Sequence, residues 1–318
     1  HYGETFAAAN RRDPKAVPEL ILYAGNELFP LMVRATAVSL LANYDGALAK
    51  KAIEKALSDP ASLVRHSAIN GYQPENVKSY EKIMLPLLND PVKGIRNEAA
   101  IKLSEVPEDQ LSVPARKARK AALEEYTNVN LYVSDFPGGR YNLGIMYANA
   151  GEFEKAAESY RAALKIDNLF YMAKVNLATV YNQQGKNDDA EKLLREVLIE
   201  NPQISDVNYS LALLLAEKGN IPESRKFFLK SIELMPDRTR ILYNLALFEN
   251  SQGNVVSAEE YLLKALKKEP ENYDFLYAVC TFYLEHKQNL KAQEYARQLA
   301  AKYPDNPVGK QLLQAAMQ

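Results

Sequence analysis

The sequence predicts an all-α protein, an α-solenoid in which two arrays of stacked helix pairs follow one another and a short helix caps the C-terminal end. Three observations carry that prediction. From residue 140 to residue 304 one 34-residue pattern is written five times, marked by Leu143-Gly144, Leu177-Ala178, Leu211-Ala212, Leu245-Ala246 and, weakened, Val279-Cys280. Ahead of it an aliphatic-Arg pair recurs with its aliphatic member at 33, 64 and 95, a period of 31. From residue 1 to about 106 no run alternates as a half-buried strand would, and Pro, Gly, Asn and Asp punctuate helical stretches.

Length and composition set the frame. A chain of 318 residues with 47% hydrophobic content can bury a large core and is expected to hold about two domains. Lys plus Arg is 39 against 40 for Asp plus Glu, with no long run of one sign, so the field that attracts nucleic acid or anionic lipid is missing. No apolar run approaches the roughly 18 residues of a spanning helix, and the expectation is a soluble protein with no membrane span. The sequence opens at His1 without a methionine, which reads as a processed chain or a fragment, with any targeting segment upstream. The single cysteine, Cys280, leaves no internal disulfide and fits either redox compartment.

The first array, residues 1–106, rests on three segments. These are Phe29-Pro30-Leu31-Met32-Val33-Arg34, Asp59-Pro60-Ala61-Ser62-Leu63-Val64-Arg65 and Asp90-Pro91-Val92-Lys93-Gly94-Ile95-Arg96. Each reads as the start of an inner helix: Asp59 or Asp90 as N-cap, Pro60 or Pro91 at the first helical position, and the aliphatic residue opening the buried face. Ala37, Ala68 and Ala99 follow three residues after each arginine, small where neighbouring helices approach. The wording resembles the short HEAT-like repeats, from which the first unit departs by having Phe29 for Asp and one residue fewer. Arginines at 34, 65 and 96 admit two readings, an anion-binding stripe or bonding within the repeat to a capping aspartate or helix-end carbonyl. The second is the commoner role.

Residues 107–139 are expected to form a connector helix and a turn that joins the arrays rigidly. Val113-Pro114 opens a helix carrying Arg116, Lys117, Arg119 and Lys120, then Glu124 and Glu125. Without flanking aromatics or glycines the basic residues read as a solvated face rather than a nucleic-acid site. Asp135-Phe136-Pro137-Gly138-Gly139 reads as a turn or break.

In the second array each unit suits a pair of antiparallel helices. The eighth position (Gly144, Ala178, Ala212, Ala246, Cys280) and the twentieth (Ala156, Ala190, Ser224, Ala258, Ala292) are small, which lets the two helices pack closely. The fifteenth is Gly151, Gly185, Gly219 and Gly253, a left-handed residue ending the first helix, and Lys287 departs from it. The thirty-second is Pro202, Pro236, Pro270 and Pro304, with Asn168 once. Bulky residues fill the eleventh (Tyr147, Tyr181, Leu215, Tyr283) and the twenty-fourth (Tyr160, Leu194, Phe228, Leu262). Together these resemble a tetratricopeptide-repeat superhelix of five units, approximately 140–170, 171–204, 205–238, 239–272 and 273–304. Residues 305–318, opened by Pro307 and carrying Leu312 and Leu313, read as the capping helix a terminal repeat needs.

The resemblance places the first helix of each pair on the concave groove. That helix carries Tyr141, Tyr209, Tyr243 and Tyr277 at the fifth position, with Val175 once, and Asn142, Asn176 and Asn244 at the sixth. Tyrosines give rigid contact area with a polar tip, and asparagines can bond both the N–H and the C=O of an extended chain. The same residues are ordinary wording for this repeat and can equally serve neighbouring helices. The lysine and arginine positions by which some relatives clamp a terminal carboxylate are not evident.

No enzyme is expected. His1, His66 and His286 lie far apart in sequence, none with a second ligand at zinc spacing, and no phosphate loop or nucleophile elbow occurs. Cys280 reads as a small core residue at a helix contact. Catalytic residues, metal ligands and cofactor-binding residues are therefore set at none.

The opening His1-Tyr2-Gly3-Glu4-Thr5-Phe6-Ala7-Ala8-Ala9, the run Val33-Arg34-Ala35-Thr36-Ala37 and the order of the two arrays resemble the C-terminal half of bacterial multihaem cytochromes c. No Cys-x-x-Cys-His occurs, so this chain itself holds no c-type haem, and haem is expected only upstream of His1. The resemblance implies a periplasmic or cell-surface setting, with a cytoplasmic one left open. The expected function is a non-catalytic scaffold holding a peptide or protein partner in the tetratricopeptide groove, beside or docking a multihaem cytochrome. The competing class is a structural subunit that self-associates into an oligomer or filament.

Overall fold

The computed structural model describes residues 1–44, 46–74 and 76–317, so Gln318, the last residue of the expected capping segment, lies outside the described residues. Among the described residues there are nineteen α-helices and no strand. The chain divides into two compact units, His1–Ala173 and Lys174–Gln318.

The first unit holds α1 (Tyr2–Asn10), α2 (Val17–Gly25), α3 (Leu31–Leu41), α4 (Ala47–Ala56), α5 (Ser62–Gly71), α6 (Val77–Leu87), α7 (Lys93–Ser104), α8 (Val113–Tyr132), α9 (Pro137–Asn149) and α10 (Phe153–Ile166). Helices α3, α5 and α7 stack in sequence. Val33, Val64 and Ile95 are buried along that stack, and Ala37, Ala68 and Ala99 are wholly buried beside them, as small residues at a close approach must be.

The capping expectation needs correction. Helices α5 and α7 begin at Ser62 and Lys93, two residues after the prolines, and their N-caps are Ala61 and Val92. Asp59 Oδ1 instead accepts from Ala61 N at 2.9 Å, and Asp90 Oδ1 from Val92 N at 2.8 Å, closing turns ahead of the helices. Both carboxylates are also claimed by the arginine of the preceding unit. Arg34 donates to Asp59, while Arg65 Nε donates to Asp90 Oδ2 at 2.8 Å and its Nη2 to Oδ1 at 2.9 Å. Arg65 Nη1 then reaches Asp59 O at 2.7 Å and Pro60 O at 3.0 Å within its own unit. Arg34 and Arg65 are buried and join one unit to the next, and Arg65 bonds within its own unit as well.

Arg96 continues the series with a different partner. Its Nε and Nη2 donate to Glu125 of α8 at 2.9 and 2.7 Å, and that hydrogen bonding holds the Glu125 carboxyl below the usual range. Arg119, expected on a solvated face, is buried, with Nη1 donating to Leu103 O at 2.8 Å and Val106 O at 2.7 Å at the end of α7. Two of the connector's charges thus fasten α8 to the first array.

The same helix belongs to the second array. Helices α10, α12 (Asn187–Glu200), α14 (Ile221–Leu234), α16 (Val255–Lys268) and α18 (Asn289–Lys302) begin 34 residues apart, and one more step back covers 119–132, inside α8. Ala122 and Tyr126 then fall at the twentieth and twenty-fourth positions, small and bulky as in the later units. Pro137, Gly138 and Gly139, expected in a turn, form the first turn of α9, with Pro137 at the position where a missing N–H costs nothing. A side chain at Gly139 would meet the carbonyls of Asn130 and Val133, so α9 lies close on α8.

Helix α11 (Tyr171–Gln183) carries the boundary between the units; α13 (Ser205–Glu217), α15 (Thr239–Ser251) and α17 (Tyr273–Glu285) alternate with α12, α14, α16 and α18. The fifteenth position has φ of +74, +76 and +74° at Gly185, Gly219 and Gly253, and Lys287 takes the same turn at +55°. The turn is thus kept where the glycine is lost, at a steric cost. One packing position is also broken: the eleventh residue of the fourth repeat is Glu249, wholly buried, 2.7 Å from Arg225 Nε and accepting from Asn254 Nδ2 at 2.6 Å.

Helix α19 (Val308–Ala315) packs on α18, with Gly309 against the Ala300 backbone. It occupies the first-helix phase of a sixth repeat, and the eighth position of that repeat, counted from Pro307, is Gln314. A residue of that size stands where a following helix would have to come close.

Candidate functional site

Within the second unit the first helices α13, α15 and α17 touch their neighbours through polar and aromatic side chains. These set which residues remain open. Asn244 Nδ2 donates to the Tyr209 hydroxyl of the preceding repeat, and the Tyr209 ring lies 6.0 Å from Phe228 at its own twenty-fourth position. Tyr243 has Leu262 at that position and stacks instead on Phe275, 5.3 Å away, with the Arg240 guanidinium 5.2 Å from its ring. Burial raises the Tyr243 hydroxyl above its ordinary value. Tyr277 has Ala296 at the twenty-fourth position, stacks on Tyr273, and stays 42% exposed. The depth of each tyrosine thus follows the ring available to it.

In the first unit Tyr141 packs 5.8 Å from Tyr160 and 5.0 Å from Phe170, while Asn142 Nδ2 donates to Asn130 Oδ1 at 3.0 Å. Asn176, in the second unit, is half-buried and engaged. Of the seven candidates, Tyr209, Tyr243, Asn244 and Tyr277 are brought onto adjoining helices of one unit, and Tyr277 is the most open.

Sequence reasoning stopped at the fifth and sixth positions and missed the rest of the helix face. Residues four and eight further on share that face, since i, i+4 and i+8 line up on a helix. The ninth position supplies Thr179, Leu213, Leu247 and Thr281, with Leu247 42% exposed. The thirteenth supplies Gln183, Glu217, Ser251 and Glu285, all exposed. Thr281 Oγ1 is turned inward, donating to Tyr277 O at 3.0 Å. The result is an apolar row of Leu213 and Leu247 beside aromatic edges, bordered by a row of carboxylates and amides.

The chemistry-bearing residues lie elsewhere and apart. His1 Nδ1 accepts from Gly3 N at 3.3 Å, His66 Nε2 is 3.8 Å from Glu98, and His286 Nε2 is 2.7 Å from Asn250 Oδ1. Among the described residues no group of three His, Cys, Asp or Glu could hold a metal ion. Cys280 is buried, its Sγ donating to Ala292 O at 3.4 Å, and burial pushes its thiol up to about 11. No helix of the described residues is long and apolar enough to cross a membrane.

Comparison with known proteins follows the same repeats. A tetratricopeptide-repeat family model matches residues 147–214 and 249–316, and a second one matches residues 115–168, starting inside α8. Together they span more than half of the 318 residues. No curated protein sequence matches the chain. Among solved structures the chain is similar to PilW, a widely conserved type IV pilus biogenesis factor, at 16% identity and a TM-score of 0.56 over 72% of this chain and 100% of that one. It is also similar to PilF of Pseudomonas aeruginosa, at 20% identity and a TM-score of 0.50 over 70% and 98%. At such identities these likenesses show the fold.

Proposed function

The chain belongs to the tetratricopeptide-repeat proteins, and on that premise we propose that it is a non-catalytic scaffold whose first-helix face, the concave groove of such arrays, holds an extended segment of a peptide or protein partner. The observation that carries this reading is the pair Leu247 and Tyr277, each 42% exposed on adjoining helices beside polar groups already bonded to one another. An apolar strip in such a setting gains by being covered. In this reading the 31-residue array is HEAT-like, the setting is periplasmic or at the cell surface, and a haem-bearing cytochrome region stands upstream of His1 or docks on the chain. The chain itself binds no cofactor, nucleic acid or metal.

The reading is tested by selecting binders from a random peptide display library. Enrichment on the intact chain, lost on Leu247→Ser with Tyr277→Ser while the circular dichroism spectrum is unchanged, is the expected outcome. Equal enrichment on both proteins removes the groove. A second reading, self-association, is favoured by the exposed apolar residues Leu28, Met32 and Leu48 of the first unit, Leu28 being 92% exposed. Gln314 speaks against stacking at the C-terminal end. A molar mass by light scattering that stays at one chain across a concentration series discards it.

A further inference from the structure

The charged residues on the first-helix face are not all in the same state. Asp206 is paired with Arg238, and Asp274 with Arg240 at 3.5 Å. Lys174 is committed to Glu196 at 3.2 Å, and Lys218 to Asp188 and Glu191 at 2.5 and 2.6 Å. Glu217 and Glu285 differ: each accepts a neutral amide from the preceding repeat, Asn182 Nδ2 at 2.8 Å and Asn250 Nδ2 at 2.9 Å. Among the described residues no lysine or arginine reaches either carboxylate. The asparagine and glutamate positions alternate, since the twelfth residue is Asn182, Ala216 and Asn250 and the thirteenth is Glu217, Ser251 and Glu285 along the array. The exposed face therefore holds two fixed negative charges two repeats apart, with Leu213 and Leu247 between and beside them.

Resting on the groove reading above, we propose that the segment this face takes is cationic, with two Lys or Arg side chains six residues apart meeting Glu217 and Glu285 and apolar side chains between them covering Leu213 and Leu247. The spacing follows from the contacts. Successive first helices meet through side chains, as at Asn244–Tyr209 and Tyr243–Phe275, so they lie about 10 Å apart and two repeats span about 20 Å. An extended chain rises about 3.3 Å per residue and returns to the same side every second residue, which makes i and i+6 the matching pair. The residues between point alternately to the opposite side, toward the leucine row. The amide bonds from Asn182 and Asn250 hold the carboxylates in place, and a charge-assisted bond to a partner cation is the stronger use of their remaining lone pairs.

Fluorescence anisotropy with four labelled nonapeptides of one apolar core tests this. They carry Lys at i and i+6, Lys at i and i+3, Gln at i and i+6, or Glu at i and i+6. The expected order is tightest for Lys at i and i+6, at least tenfold over the Gln and Glu peptides, with the advantage falling as salt is raised. Glu217→Gln with Glu285→Gln should remove that advantage and leave the Gln peptide unchanged. Equal binding of the Lys and Gln peptides, both weakened by Leu247→Ser, overturns the cationic segment while the groove stands. Equal binding of the two Lys peptides overturns the spacing. Absence of binding by all four, or binding that Leu247→Ser does not touch, overturns both the cationic segment and the groove.

Discussion

The 31-residue units and the 34-residue units are both helix pairs laid side by side, yet they are fastened by different chemistry. From Arg34 to Glu125 each joint of the first array carries an arginine held by a carboxylate of the next element, buried at Arg65–Asp90 and more open at Arg96–Glu125. In the second array arginines also reach a carboxylate of the next repeat, at Arg195–Glu223, Arg225–Glu249 and Arg240–Asp274, but from differing repeat positions and from more open side chains. The two helices of each repeat meet at the small residues of the eighth and twentieth positions, and further ion pairs between repeats, such as Lys268–Asp237 and Lys302–Glu271, lie at exposed side chains. Buried charges give a joint that fails severely when one partner is lost, whereas close packing spreads the cost over many weak contacts.

The largest expected effect breaks a joint of the first array. Arg65→Ala leaves Asp90 buried without its partner and should cost about 3–5 kcal/mol in urea unfolding followed by circular dichroism. The fourth repeat is where the second array borrows the device of the first, because Glu249 is buried against Arg225. Arg225→Met alone should cost about 3 kcal/mol, while Arg225→Met combined with Glu249→Leu should be neutral or stabilising. A double variant as unstable as the single one would make that pair necessary to the fold. Lys287→Gly removes a side chain from a left-handed turn and should stabilise by about 1 kcal/mol, raising the unfolding midpoint. Lys302→Ala, at an exposed pair, should change stability by less than about 1 kcal/mol.

The smallest effect is set by pH. Hydrogen bonding from Arg96 lowers the Glu125 pKa, and bonding from Lys218 and from Lys291 does the same for Glu191 and Glu259. A depressed carboxylate contributes stability above its unfolded value of about 4.5, and that contribution is lost as pH falls through the folded value. Glu125→Gln should therefore flatten the acid limb of stability measured from pH 7 to pH 3. An unchanged limb would mean the pair contributes nothing in solution.

Much of the fold was legible because periodicity reports on helix contacts directly. The five-fold array follows from small residues at two fixed positions and glycine at a third, and the helices recur at the expected interval. The joints were harder. The Asp-Pro wording looks like a cap, and only the placement of the preceding arginine shows that the carboxylate serves another unit. Arg119 and Glu125 look solvated because a helix face in a list of residues does not reveal which neighbour covers it. At the candidate site the tyrosines were found from their place in the repeat, but their depths depend on which ring comes to cover them, Phe228 for Tyr209 and Phe275 for Tyr243. Leu247, Glu217 and Glu285 were readable in principle by following the helix face on from the fifth position.

Helix α8 is read in two registers at once, with Arg119 and Glu125 serving the 31-residue array and Ala122 and Tyr126 opening the 34-residue one. The two arrays are consequently not interchangeable cassettes. A recombination or domain swap that cuts anywhere between residues 113 and 132 severs a helix on which both sides depend. Lineages that lengthen or trim this protein should therefore do so by whole repeats away from α8, and a hybrid that keeps α8 intact with either array should be the one that expresses as a folded chain.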